Sequence, residues 1–415
     1  MEYIADLHIH SKYAMACSEQ LTLENMDSTA KAKGIGIMGT GDFTHPLWLK
    51  ELKSKLVERD GMHYLKDSQG GTAFVLSSEV CTIFEDRSGK SRKIHHCIFA
   101  PDLEAAEHIG HELSKFGDLS SDGRPALNLS PAALVEIASG VSRDTFIFPA
   151  HAWTPWFGVL GAFSGFDSIS DAYEDQAGKI RALETGLSSD PGMNWRVSSL
   201  DKYSLISGSD AHSLPKIGRE AVVMDMEKPA YGELVRKIVE KEMKLTVEFY
   251  PEEGKYHFDG HRNCNVSLSP EESAKYGDRC PKCARRLTIG VLHRVNALAD
   301  REEGYRPKGA VPYIHAIPLQ EIIAQVMGKN VLSPYVKRTY QELLSNFGTE
   351  FDVLLKCDVD TLGSMDRKLG SAIDAMRDER VNLVPGYDGV FGIVDVLNQA
   401  KAKKAHGKQS RINEF

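Results

Sequence analysis

Short apolar runs alternate with amphipathic stretches through the first half of the chain, a rhythm that predicts repeated βα units. Ile4 leads the first strand, and Ile35 to Met38 reads as the second. Phe74–Ser78, Ile94–Phe99, Thr145–Phe148, Arg181–Glu184 and Tyr203–Ser207 continue the series. Between the first two strands, Thr22 or Glu24 opens a helix that Gly34 ends as a left-handed cap. Ser130-Pro131 starts another, with a Pro at its first position and Gly140 as its stop, and Asp190-Pro191 starts a third. A parallel sheet or barrel follows from this order.

A helix over Lys228 to Met243 is expected to close that unit, and Tyr250 to Gly254 reads as a linker. A compact Cys/His segment then runs to about Arg286. Val291–Arg301 and Leu319–Met327 are helical in pattern, and Val381 to Gly389 reads as a strand entering a Gly-rich turn. The stretch Ala400 to Lys408 is basic and poor in apolar residues, the composition of a mobile tail. The domains expected are therefore 1–248, 249–295, 296–400 and a tail 401–415.

With 415 residues, 42% hydrophobic and 26% charged, the chain has room for two or three globular domains. No apolar run is long enough to span a bilayer, and Met1-Glu2-Tyr3-Ile4 lacks a signal peptide's basic start. Seven cysteines without such a signal indicate a reducing, cytoplasmic setting. The net charge of −8 supplies no global attraction to nucleic acid, but local basic patches can still provide one.

Nearly all of the candidate chemistry lies just past strand ends, where barrel active sites are built. Asp6-Leu7-His8-Ile9-His10 carries an H-x-H pair, whose imidazoles share one face of a strand. Gly41-Asp42-Phe43-Thr44-His45 and Ser209-Asp210-Ala211-His212 add carboxylates and imidazoles, as do Glu79, the adjacent pair His95-His96, and His151. Any one of these alone is more readily a satisfied core histidine. Their recurrence in separate βα units points to one shared cluster of Zn, Mn or Fe.

The ordered set His8, His10, Asp42, His45, Glu79, His96, His151, Asp210 and His212 resembles the ligand pattern of the PHP (polymerase and histidinol phosphatase) superfamily. That resemblance implies a distorted (β/α)7 barrel hydrolysing phosphoesters with two or three divalent metals (Zn, Mn, Mg or Fe). It would place His8, His10, Glu79 and Asp210 on one metal, with Glu79 bridging. His96 and His151 would complete a second, and Asp42, His45 and His212 a third. His95 competes with His96, which matches the family position. Asp210, His212, Glu79 and His45 are the residues expected to carry the catalysis.

His261, Cys264, Cys280 and Cys283 have the spacing of a closed, structural zinc site, with His257 the alternative to His261. A disulfide is the competing reading, which a reducing compartment disfavours. Neighbouring Lys282, Arg285, Arg286 and Arg294 form either a phosphate-binding surface or a solvated face.

The barrel words, the segment Tyr256 to Arg262, Cys280-Pro281-Lys282-Cys283, Leu287 to Val295 and the run Pro385 to Gly392 together resemble the endonuclease Q family along essentially the whole chain. The resemblance implies a mainly helical C-terminal region that contacts DNA. It also implies nicking of DNA 5′ of deaminated bases (hypoxanthine, uracil, xanthine) and abasic sites, leaving 3′-hydroxyl and 5′-phosphate ends. Trp153, Trp156, Phe157, Tyr387 and Phe391 are candidates to stack on an extruded base, with core packing the alternative for each. Gln409, Ile412 and Phe415 have the spacing of a sliding-clamp (PCNA) peptide, which would favour an archaeal setting. A phosphatase of small phosphomonoesters, a PHP-type exonuclease and a non-catalytic DNA scaffold are the rival readings.

Overall fold

The computed structural model describes residues 1–68 and 71–398. The first strand, β1 (Glu2–Asp6), is followed by the helix Leu23–Lys33 and by β2 (Ile37–Gly39), which lies parallel to it with Ala5 opposite Ile37. Gly34 ends that helix at φ 87°, as the sequence predicts, its N–H returning to Ala30 and Lys31. An unforeseen hairpin, β3 (Leu56–Arg59) and β4 (Met62–Leu65), leads into β5 (Ala73–Glu85), parallel to β2. β6 (Ser91–Ala100) returns antiparallel along the whole of β5, and β7 (Ala126–Leu127) adds a short parallel ladder.

β8 (Phe146–Pro149) pairs antiparallel with β6, and β9 (Ala182–Glu184) with β10 (Ser204–Ile206) forms a parallel pair. Backbone bonds from Ala152 N to Glu184 O (2.9 Å) and from Asp210 N to His8 O (2.8 Å) attach this pair to the ends of β8 and β1. The strand ends are thereby drawn around a common centre. β11 (Ala221–Asp225) and β12 (Leu245–Glu248) extend the other edge of β1, each antiparallel to its neighbour.

The sheet is thus mixed, not uniformly parallel as βα repeats predict. The reason is local: Asp86 to Lys90 form a tight turn, with Gly89 N and Lys90 N bonded back to Asp86, and so short a connection can join only antiparallel strands. Both faces are covered, which accounts for the nearly continuous apolar runs. Alternate residues separate cleanly, Ile4, Met38, Phe74 and Ile98 into one core and Ala5, Ile37, Val75 and Phe99 into another.

Several predicted boundaries move. The helix from Ser130 is capped as expected, Ser130 accepting from Ala133 N, but it runs through Gly140 to Val141. The helix expected over Lys228–Met243 is Tyr231–Val239, and it does not close the sheet, because β12 follows. Tyr250 to Gly254 is not a loose linker, since Tyr250 and Pro251 are buried.

A second hairpin, β13 (Asp259–His261) with β14 (Val266–Leu268), belongs to the Cys/His segment. β15 (Tyr313–His315) then rejoins the main sheet parallel to β12. Helices Leu319–Met327, Pro334–Phe347, Val359–Met365 and Arg367–Arg377 pack beyond it. The buried Arg377 guanidinium donates to the carbonyls of Val353, Leu354 and Cys357 and so ties that turn to the last helix. The chain ends its described part on β16 (Asn382–Val384) and β17 (Ile393–Asp395). No described helix is long and apolar enough to cross a membrane.

Candidate metal centres

Glu79 lies midway along β5, fully buried, where the ends of the neighbouring strands converge. Its Oε1 lies 2.7 Å from His95 Nδ1 and 3.0 Å from His151 Nε2, and those two nitrogens are 3.1 Å apart. Its Oε2 faces His10 Nε2 at 3.2 Å, His8 Nε2 at 3.6 Å and Arg124 Nη1 at 3.3 Å. Asp210 Oδ1 closes the other side, 3.0 Å from His10 Nε2 and 3.8 Å from His8 Nε2. Burial opposes ionisation of Glu79, yet His95 and His8, with hydrogen bonds from His10 and His151, hold it well below the usual carboxylate range.

Two ligand groups share this carboxylate: His8, His10, Glu79 and Asp210, and Glu79, His95 and His151. So many imidazole nitrogens directed at one carboxylate are the donor set of a divalent cation. The buried His8 Nε2 has no hydrogen-bond partner, an atom for which a bound cation would account. The residues present therefore fit a metal.

The backbone is bent to make this convergence. Asp42, His151 and Asp210 adopt φ of 50°, 30° and 46°, a region that non-glycine residues enter at a cost of about 1–3 kcal/mol. Each follows a strand end, and the turn tips its side chain toward the centre. A Cβ on Gly208 would sit 2.6 Å from both Glu184 Oε1 and His8 Cβ, so only glycine allows that approach.

His95, not His96, joins the site, correcting the expectation. In the β5/β6 register Cys81 lies opposite His95 and Glu79 opposite Cys97, so Glu79 and His95 share a face. His96 points the other way, bonded to Thr82 Oγ1 at 3.0 Å and Tyr173 OH at 2.8 Å. Burial lowers both imidazoles, His95 to about 4 and His96 to about 3, so His95 is neutral and able to act as a ligand.

Asp42, His45 and His212 do not assemble as a third ligand group among the described residues. Asp42 Oδ1 instead bonds His10 Nδ1 at 3.0 Å, while its Oδ2 accepts from Ser11 N. His45 stacks on Tyr13 and reaches Ser120 O at 3.2 Å. His212 Nδ1 lies 2.9 Å from the Asp210 carbonyl. Sequence reading missed two participants. Glu184, at the end of a predicted strand, meets His8 Nδ1, and Arg124 comes from a loop with no motif of its own.

An open cavity of about 220 Å³ beside the cluster is lined by His95, Arg124, His151, Thr154, Phe157 and Asp210, among others. Phe157 forms its aromatic wall, stacked on His95 with ring centroids 4.5 Å apart. Trp153 is fully buried, its Nε1 donating to Asn194 Oδ1 at 2.8 Å, so it belongs to the core and cannot stack on a base. Trp156 is 37% exposed, stacked on Phe163 and edge-on to Tyr256.

In the second cluster His261, Cys264, Cys280 and Cys283 bring one donor atom each within 4.8 Å of one another. His257 is buried elsewhere, so the choice of His261 agrees with the geometry. Burial opposes ionisation of Cys280, but backbone N–H groups of Lys282 and Cys283 draw its thiol down to about 7. Arg285 and Arg286 are exposed as expected. Arg294 is not, since it ties Leu160 O, Phe166 O and Asp167 together.

The loop Gly386 to Gly392 packs on this module. Phe258 N donates to Gly386 O, and Asp388 accepts from Arg262 N and Thr288 Oγ1. Tyr387 lies against Gly260, whereas Phe391 is 64% exposed with Lys255 Nζ 4.5 Å above its ring. Gln409, Ile412 and Phe415, like the stretch Ala400 to Lys408, lie outside the described residues.

These features define a mixed α/β protein with a buried His/carboxylate cluster at its strand ends and a separate Cys₃His site. The family described as "MJ0043 C-terminal domain" matches residues 318–380. MJ0043 of Methanocaldococcus jannaschii is 29% identical over 256 residues, 60% of this chain and 32% of that protein, so the match spans about a third of the relative's length. YqxK of Bacillus subtilis is 27% identical over 410 residues, 94% of this chain and 98% of that one. The lesion-specific endonuclease PfuEndoQ of Pyrococcus furiosus superposes with a TM-score of 0.85 at 32% identity, covering 95% of each chain. A structure of endonuclease Q with a 27-mer duplex bearing an abasic lesion at the active site gives 0.84 at 32% identity, covering 96% of this chain and 99% of that one. The chain belongs to the endonuclease Q family.

Proposed function

We propose that this chain is a divalent-metal-dependent DNA repair endonuclease. It nicks the phosphodiester 5′ of hypoxanthine, uracil, xanthine and abasic sites, leaving 3′-hydroxyl and 5′-phosphate ends. The reading is carried by the 32% identity over 95% of the chain to a lesion-specific endonuclease. We read the circuit of strands as a distorted (β/α)7 barrel of PHP type over 1–248. Residues 249–295 form a zinc-stabilised module, and 296–400 a region that contacts DNA.

His8, His10, Glu79 and Asp210 would hold one cation and Glu79, His95 and His151 a second. Bound there, the cations would lower the pKa of water and neutralise phosphate oxygens. The remaining roles fall to side chains. Glu184 and Asp42 fix the ring orientations of His8 and His10 from behind, at 2.9 and 3.0 Å. Burial keeps His212 below its ordinary pKa, hence neutral. Its Nδ1–H donates to the Asp210 carbonyl, which leaves Nε2 to take up or return a proton beside the cluster. Phe157 walls the cavity, while Trp156, Tyr256 and the exposed Arg285 and Arg286 offer stacking and phosphate contacts outside it.

The test is incubation with Mn²⁺ or Mg²⁺ on labelled duplexes carrying one hypoxanthine, one uracil or neither. A single nick 5′ of the lesion is expected, absent from the undamaged duplex and from Asp210→Asn. Ladders from the ends would assign an exonuclease instead. Hydrolysis of small phosphomonoesters alone would assign a phosphatase.

A further inference from the structure

Among the described residues Arg124 is the one guanidinium lining the cavity beside the cluster, and its position is set by elements on three sides. Behind it, Cys81 N bonds to Pro125 O at 2.9 Å and Ala126 pairs with Cys81, so the residues that follow are fastened to β5. Before it, Gly123 N donates to Tyr13 O at 3.0 Å. A Cβ on Gly123 would lie 2.5 Å from Asp42 Oδ2, so this loop can approach the cluster only through glycine. Asp122 Oδ1 completes the frame, accepting from Met15 N and from Arg124 N itself.

The side chain is three-quarters buried and reaches Glu79 Oε2 at 3.3 Å. Among the described residues its guanidinium donates to Glu79 alone. An arginine carries five N–H donors, so most remain to be satisfied from the cavity. A planar cation with free donors, held beside two ligand groups and an open pocket, is suited to a phosphate oxygen.

We infer that Arg124 is a catalytic residue whose guanidinium contacts a non-bridging oxygen of the scissile phosphate and stabilises the charge that develops there during cleavage. This rests on the reading of the chain as a phosphodiesterase. Glu79 anchors the guanidinium on one edge, and the other edge faces the substrate. A merely structural counter-ion to Glu79 would be indifferent to the phosphate's charge, and that difference decides the matter.

The binding assay uses EDTA-treated protein and a fluorescent duplex with one abasic site, read by anisotropy. Each protein is measured with an ordinary phosphate and with a neutral methylphosphonate at the scissile position. The wild type should lose about tenfold in affinity on methylphosphonate substitution. Arg124→Ala should bind the ordinary duplex about tenfold more weakly and show no further loss. Under single-turnover conditions with Mn²⁺, Arg124→Ala should cleave about 100-fold more slowly, with Arg124→Lys in between. Thermal melts of both variants establish that they fold. An undiminished methylphosphonate penalty in Arg124→Ala, or cleavage within threefold of wild type, overturns the assignment. If the wild type nicks no lesion duplex, the proposed function fails, and Arg124 is then judged on bis(p-nitrophenyl) phosphate. A 100-fold loss in Arg124→Ala on that diester supports the assignment, whereas retained turnover, or no hydrolysis by the wild type, overturns it.

Discussion

Both carboxylate oxygens of Glu184 lie 2.9 Å from Nδ1 of His8, and Oε2 also accepts from the backbone N–H of His151 at 2.7 Å. One buried acid therefore fixes the ring of His8 and the turn that presents His151. It selects the tautomer of His8 in which Nε2 is free for a cation. Glu184→Gln should weaken Mn²⁺ binding about 10- to 100-fold. Isothermal titration of the metal-free protein would measure this, and unchanged affinity would remove Glu184 from the site.

His95 and His96 make a matched pair for mutagenesis. His95→Ala should lower the metal bound per chain and abolish nicking, with little change in melting temperature. His96→Ala should retain its metal but lose about 1–3 kcal/mol of stability, because Thr82 and Tyr173 lose a buried partner. Metal analysis beside denaturant unfolding separates the two, and the reverse pattern would reinstate His96 as ligand.

The Cys₃His module rests on a core of Val266, Cys280 and Leu287, with Cys264 and Leu268 partly buried against it. So few apolar groups cannot stabilise a fold alone, so on the proposed reading a zinc held by these four side chains would be the main source of order there. Cys280→Ser should lose one zinc per chain and open residues 259–288 to protease while the remaining domains stay resistant. A module equally resistant without zinc would refute this.

His63 is fully buried and neither ring nitrogen has a partner, so burial pushes its pKa down to about 4. Below the ordinary value of 6.5 the unfolded chain takes up a proton that the fold refuses, so acid destabilises. The contribution should amount to about 2 kcal/mol between pH 7.5 and pH 5. Denaturant unfolding of the wild type and His63→Leu would show it as a steeper acid decline in the wild type. Parallel pH profiles would count against it.

A clamp-binding role for Gln409, Ile412 and Phe415 is testable without further structure. Deleting residues 409–415 should abolish binding to PCNA in a pull-down and leave nicking of free lesion DNA unchanged. Full clamp affinity in the truncated protein would reject the motif.

The local chemistry was legible in the sequence. Most candidate ligand words stood just past a strand end, where side chains converge, whereas Glu79 and the His95-His96 pair lie within β5 and β6, and the C-x-x-C turn needed only its own backbone to bring two sulfurs together. Which of two adjacent histidines serves was not legible, because that depends on the pairing of β6 with β5, and a shift of one residue exchanges the faces. Trp153 and Trp156 show the same limit. Both are aromatic and both follow His151, yet tertiary packing places the first in the core, bonded to Asn194, and leaves the second partly exposed.

By itself the sequence determined which residue types were available and the order in which the strands deliver them, since periodicity and caps are properties of neighbouring residues. Tertiary structure alone decided the partners. Glu184 and Arg124 lie far along the chain from the atoms they touch and carry no spacing signal. Asp42 turned from expected ligand to the carboxylate that orients His10. Such pairings are fixed by the closure of β1 against β8–β10 and by the glycine contacts that permit it, long-range geometry that no local pattern encodes.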